Sequence, residues 1–82
     1  MTQIELVMID YREYIVIDAT KRSGKPCVIG TRITVYDVLG YLAAGMAIDE
    51  ILADFPQLTR PAILACLAYS ADSERKHFIV AA

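Results

Sequence analysis

At 82 residues the chain has room for one small core, since a domain of this size buries only roughly 60% of the surface that it exposes when unfolded. A hydrophobic fraction of 56% is more apolar surface than so small an interior hides, and it points to a partner, most simply a second copy of the chain. The net charge of −2 excludes a protein that holds nucleic acid by bulk positive charge.

Residues 3–18, QIELVMIDYREYIVID, contain no Gly or Pro and are rich in Ile, Val and Tyr. Such runs favour a pleated, half-buried surface, so strands are expected near 4–9 and 14–18, with Asp10 to Glu13 as the polar break. The polar stretch ATKRSGKP then precedes a third short strand at 27–30, CVIG. Residues 14–18 and 27–30 are expected to pair as a hairpin around that loop.

From Thr34 the period becomes helical, with Val35, Val38, Leu39 and Leu42 on one face and Asp37 completing a capping box with Thr34. Gly45 stands where a left-handed residue ends a helix. A second helix carries Ile48, Ile51, Leu52 and Phe55 opposite Asp49, Glu50 and Asp54, and Pro56 stops it. Thr59 caps a third, which tolerates Pro61 in its first turn and runs through AILACLAYSAD. That helix is apolar nearly all round, the pattern of a helix buried on more than one side. The tail ERKHFIVAA ends in an apolar run with strand character. Unpaired edges recruit partners, so residues 4–9 or 78–81 are expected to pair across a dimer or with another chain.

The glycines of GKPCVIGTR do not form a phosphate loop, because Gly30 is followed by Thr31 and Arg32 where Lys-Ser/Thr is needed. Nucleophilic catalysis lacks a placed base, the one histidine being His77 in the tail. Asp49, Glu50 and Asp54 read as a solvated helix face. Cys27 and Cys66 have neither C-x-x-C spacing nor neighbouring histidines and read as small buried residues of a reducing compartment. No leader pattern precedes a cleavage site, and no apolar run approaches the ~20 residues that span a bilayer. The expectation is a cytoplasmic protein that is not an enzyme, with no cofactor, no metal and no membrane association.

The element order fits a helix-turn-helix, in which Thr59 and Arg60 would meet DNA first. Charge is distributed against that reading head: residues 45–73 carry Arg60 against Asp49, Glu50, Asp54 and Asp72, a net of −3. Residues 18–36 carry Lys21, Arg22, Lys25 and Arg32 against Asp18, a net of +3. Since cations neutralising phosphates drive affinity, a nucleic-acid contact should involve this loop. Arg32 has two readings, a structural one on helix carbonyls or Asp37 and a direct DNA contact.

Residues 24–71, from GKPCVIGTRITV through the helix ending in Gly45, the acidic helix ending in Phe-Pro, and LTRPAILACLAYSA, closely resemble the bacterial family known as domain of unknown function 433. The resemblance spans roughly residues 14 to 73. It implies a mostly α fold with a small β element, a three-helix homeodomain-like helix-turn-helix preceded by short strands. On that division, residues 1–33 are a β-rich arm, 34–73 the helices and 74–82 a tail of one domain. It also implies a VapB-type antitoxin that acts as a homodimer, binds a toxin resembling PIN-domain ribonucleases and represses its own operator. The sequence departs from the family where Ala47 replaces a Ser or Thr cap and where TRPAI replaces Thr-Arg-Glu-Asp-Ile. The alternative is an interaction module that never binds DNA.

Overall fold

A computed structural model describes residues 10–81 of the chain, with side chains through Glu74. The strand expected at 4–9 lies outside the described residues. Asp10 opens the fold by accepting from the Arg12 backbone N–H at 3.1 Å, which starts a single 3-10 turn over Tyr11–Glu13. Strands β1, Ile15–Ile17, and β2, Pro26–Val28, pair antiparallel with Ile15 opposite Val28, Val16 opposite Cys27 and Ile17 opposite Pro26. The expected hairpin is therefore present, each strand one or two residues shorter than the apolar run that signalled it.

After β2 the chain turns sharply. The Thr31 N–H donates to the Val28 carbonyl at 3.0 Å across Gly30, whose φ of +79° suits a residue without a Cβ. The Val28 N–H then donates to the returning Ile33 carbonyl at 2.9 Å, and Thr34 bridges back to Cys27.

Helix α1 spans Val35–Ala43 and begins with the capping box expected of Thr34 and Asp37. The Asp37 N–H donates to Thr34 Oγ1 at 2.9 Å, and Asp37 Oδ2 accepts from the Thr34 N–H at 3.0 Å. Its end is a Schellman motif: Gly45, at φ +98°, donates to the Leu42 carbonyl at 3.0 Å, and Met46 donates to the Tyr41 carbonyl at 3.1 Å. Helix α2, Ile48–Asp54, lacks a side-chain acceptor at Ala47, and only the reverse half of a capping box survives, the Ala47 N–H donating to Glu50 Oε1 at 2.7 Å. Thr59 does cap helix α3, its hydroxyl accepting from the Ala62 N–H at 3.2 Å.

Helix α3 runs from Arg60 to Ala81, 22 residues. This corrects the strand character expected at 78–81 in the tail: after Pro61 no Gly or Pro interrupts the chain, and helix propagation carries on through the apolar end. Three β-branched or aromatic residues in a row have strand propensity, yet a strand needs a partner and a helix does not.

The core lies where the three helices meet the inner face of the hairpin. Val38, Ile51, Ile63, Ala65 and Cys66 are fully buried, with Val35, Leu58 and Ala62 close behind and Ile15, Val28 and Ile33 contributed by the β element. Each large member contributes roughly 1.5–3 kcal/mol of transfer free energy. Around the edge, Tyr41 stacks on Phe55 with centroids 4.7 Å apart, which ties α1 to the end of α2. Tyr11 meets Tyr69 edge-on at 5.3 Å and donates its hydroxyl to Asp72 at 2.5 Å, fastening the 3-10 turn to α3.

Candidate functional site

Four of the six residues expected to touch nucleic acid converge on one corner. The hairpin loop begins with Asp18, whose Oδ1 accepts from the Thr20 N–H at 2.9 Å and the Thr20 hydroxyl at 2.7 Å. Arg22, Ser23 and Gly24 then take φ values of +51°, +61° and +78°, three left-handed residues in succession. Two of them carry a Cβ, at a cost of roughly 1–2 kcal/mol each. The loop is kept there by local bonds, Gly24 donating to Lys21 O at 3.0 Å and Lys25 to Arg22 O at 3.2 Å, and by a latch.

The latch is Arg22. One guanidinium nitrogen, Nη1, donates to the Arg32 carbonyl at 2.7 Å and to Asp37 Oδ2 at 3.2 Å, so a single side chain joins the hairpin loop, the turn after β2 and the first turn of α1. Lys21 adds a weaker tie, its Nζ reaching the Thr31 carbonyl at 3.4 Å. The Asp37 carboxyl is held below the usual carboxylate range, first by the Thr34 N–H and further by the Arg22 guanidinium, against the opposing effect of partial burial. The structural partner suggested for Arg32 therefore belongs to Arg22. Thr31 and Ile33 take the inward positions of the extended turn, which leaves Arg32 between them pointing to solvent.

Thr31 is the corner's buried polar residue. Its hydroxyl donates to the Val28 carbonyl at 2.9 Å and accepts from the Ile33 N–H at 2.9 Å, which closes the turn from inside. In the triplet Gly30-Thr31-Arg32, glycine sets the backbone, threonine fastens it and arginine is displayed. Lys25 and Arg32 are exposed and form no ion pair among the described residues. The corner thus divides its cations, Lys21 and Arg22 holding shape and Lys25 and Arg32 facing outward.

Thr59 and Arg60 belong to a different junction, between α2 and α3. Thr59 is occupied as a helix cap, and Arg60 forms an exposed ion pair with Asp49 of α2. Neither is brought to the corner by the hairpin or by α1.

Two further features lie on α3 and follow from how it packs. A groove of about 280 Å³ lies between α1 and α3, lined by Val35, Tyr36 and Leu39 of α1 and by Tyr69, Ser70, Ser73 and Glu74 of α3. The far side of α3, a helix expected from its composition to be buried on more than one side, is open: Leu64 is 43% and Leu67 40% exposed. The spacing of those leucines, rather than the overall apolarity, is the signal that marks it.

The described residues gather no cluster of His, Cys, Asp and Glu suited to a metal ion. Both cysteines are free and buried, and burial pushes the Cys66 thiol up to about 11, so it stays protonated at neutral pH. Among the described residues no helix is long and apolar enough to cross a membrane.

A family model described as protein of unknown function (DUF433) matches residues 15–70. That span opens on the first residue of β1 and takes in the corner, α1, α2 and the first half of α3. No curated protein and no solved structure matches the chain.

Proposed function

The chain belongs to the DUF433 family, and from that premise we propose that it is an antitoxin-type small regulator, a dimer that binds a PIN-like ribonuclease toxin and its own operator DNA. The basic corner carries the reading. In a chain of net charge −2, four cations are concentrated on one hairpin and the following turn, and the two on the outside are held in place by the two on the inside. A fixed pair of cations beside a helix N-terminus suits phosphate contact, because neutralised phosphates supply most of the affinity and the position of the contact sets register. In the homeodomain-like arrangement α2 and α3 form the helix-turn-helix, with Thr59 and Arg60 at its reading end. Their engagement in capping and in the pair with Asp49 makes them secondary to Lys25 and Arg32.

The test is recovery of the tagged protein from its native cells, eluted at low and at high salt. A co-purifying PIN-like nuclease, together with DNA released at high salt, is the expected result. Absence of both, with the protein intact, would remove the regulator reading.

A second reading, a protein-interaction module that does not bind DNA, is favoured by one observation. The outward face of α3 displays leucines where a groove-reading helix displays cations. On that reading, operator-length DNA shows no salt-dependent binding to the purified protein.

A further inference from the structure

The outward face of α3 carries Arg60, Leu64, Leu67, Ala71 and Glu74, separated by four, three, four and three residues, and every one of them is exposed. The alternate positions Ala62, Ile63, Ala65 and Cys66 are buried in the core. Between Arg60 and Asp72 no residue of α3 is charged. This is the heptad spacing with which one helix seats its side chains between those of another, and no element of the described chain covers it.

The order of the stripe is informative: a cation, two leucines, a small residue, an anion. The midpoint between Arg60 and Glu74 is Leu67. A copy running antiparallel about a two-fold axis at Leu67 meets its complement at each level. Arg60 lies beside Glu74 of the partner copy, the two Leu67 side chains meet on the axis, and Leu64 lies over the small residues around Ala71. A parallel copy would set Arg60 on Arg60 and Glu74 on Glu74. An isologous interface needs this kind of self-complementarity, whereas an unrelated partner has no reason to match the two ends of the stripe to each other. Antiparallel packing also opposes the two helix dipoles favourably.

DNA fits the same face poorly. The face offers phosphates a single cation, Arg60, and would bring Glu74 toward them. A membrane surface fits no better, since the face lacks the basic rim of an interfacial helix.

We propose that α3 is the dimerisation helix, pairing antiparallel with α3 of a second copy through Leu64, Leu67 and Ala71, with Arg60 and Glu74 closing the seam at both ends. The proposal deepens the regulator reading and rests on it only for the existence of a dimer. It withdraws Arg60 from DNA and leaves that role to Lys25 and Arg32, displayed once on each copy.

Sedimentation equilibrium of the full chain across the micromolar range tests it, with circular dichroism as the check on folding. The wild type is expected at twice the chain mass of 9.1 kDa. Leu67→Glu is expected at the monomer mass with its helical signal unchanged, because Leu67 lies outside the core. Arg60→Glu and Glu74→Arg should each weaken the dimer about tenfold, two modest ion pairs becoming two repulsions. The double variant Arg60→Glu/Glu74→Arg should return to near wild-type affinity, since the ends again complement each other. A monomeric wild type overturns the proposal, as does a dimer that survives Leu67→Glu or a double variant that is no tighter than the singles. A dimer sensitive to Leu67→Glu from a protein that binds neither DNA nor toxin supports the seam while removing the regulator reading alone.

Discussion

Thr31→Val separates the corner's hydrogen bonding from its shape, because valine and threonine differ little in volume while valine can neither donate nor accept. In the native turn the Thr31 hydroxyl donates to the Val28 carbonyl and accepts from the Ile33 N–H, both at 2.9 Å. Val28 keeps a partner in the variant, since its carbonyl also accepts from the Thr31 backbone N–H at 3.0 Å. Ile33 does not, and its N–H becomes a buried donor without an acceptor. Removing a net hydrogen bond costs about 1 kcal/mol and orphaning a buried donor about 1–3 kcal/mol, partly offset by the apolar methyl, so a destabilisation of about 2 kcal/mol is expected. For a domain of this length, each kcal/mol moves the midpoint by roughly 4–8 °C, which puts the expected drop near 10 °C. Thr31→Ser is the control: it keeps both bonds and sheds one methyl, at about 0.8 kcal/mol. Thermal unfolding followed by circular dichroism should rank wild type above serine above valine. A valine variant as stable as the serine variant would refute the claim that the hydroxyl, rather than the packing of the side chain, closes this turn.

Acidification tests the other half of the corner. A carboxyl whose folded-state pKa is depressed adds stability above its ordinary value, 3.8 for Asp37, and loses it as pH falls through the depressed range. Urea unfolding should therefore show a stability loss on the acid side of that value that is smaller in Asp37→Asn, and equal losses in the two proteins would contradict the assignment. Ser23→Gly relieves a non-glycine residue at φ +61° and should raise stability by about 0.5 kcal/mol, the left-handed penalty outweighing the entropy of an added glycine. Arg22→Ala should lower the unfolding midpoint, whereas Lys25→Ala and Arg32→Ala should leave it within error, because only the first removes bonds to Arg32 O and Asp37. In a DNA titration against salt, Lys25→Ala/Arg32→Ala should reduce the slope of log affinity by about 1 for each phosphate that is no longer neutralised. An unchanged slope would place any DNA-binding surface elsewhere.

Features whose causes lie within a few residues are legible in the sequence. Thr34 with Asp37, Gly45, Pro56 and Thr59 each act through backbone groups less than one or two turns away, and each stands in the structure where the local pattern puts it. The corner is another matter. Arg22 and Asp37 are fifteen residues apart, and nothing in the spacing of either distinguishes Arg22 from Arg32 as the arginine that folds inward. That choice depends on the left-handed turn at 22–24, which points the Arg22 side chain across the loop. The length of α3 is hidden for the opposite reason. The apolar residues near its end have strand propensity, and only the absence of a breaker decides that the helix continues. Its exposed stripe is masked by composition, since a helix apolar on all sides reads as buried until the spacing of Leu64 and Leu67 is set against the core positions.

The division of labour at the corner governs how the surface can change over generations. Gly24, Gly30, Thr31, Thr34, Asp37 and Arg22 are committed to backbone shape and to one another, while Ser23, Lys25, Arg32 and Tyr36 are exposed and their side chains take no part in that network among the described residues. Lys25, Arg32 and Tyr36 are free to be rewritten without a refolding penalty, whereas the positive φ of Ser23 restricts that position to residues that tolerate the left-handed region, and the inner set guarantees that whatever replaces them is presented at the same positions. A lineage built on this corner can therefore change the chemistry that it displays by substituting side chains on an unaltered frame.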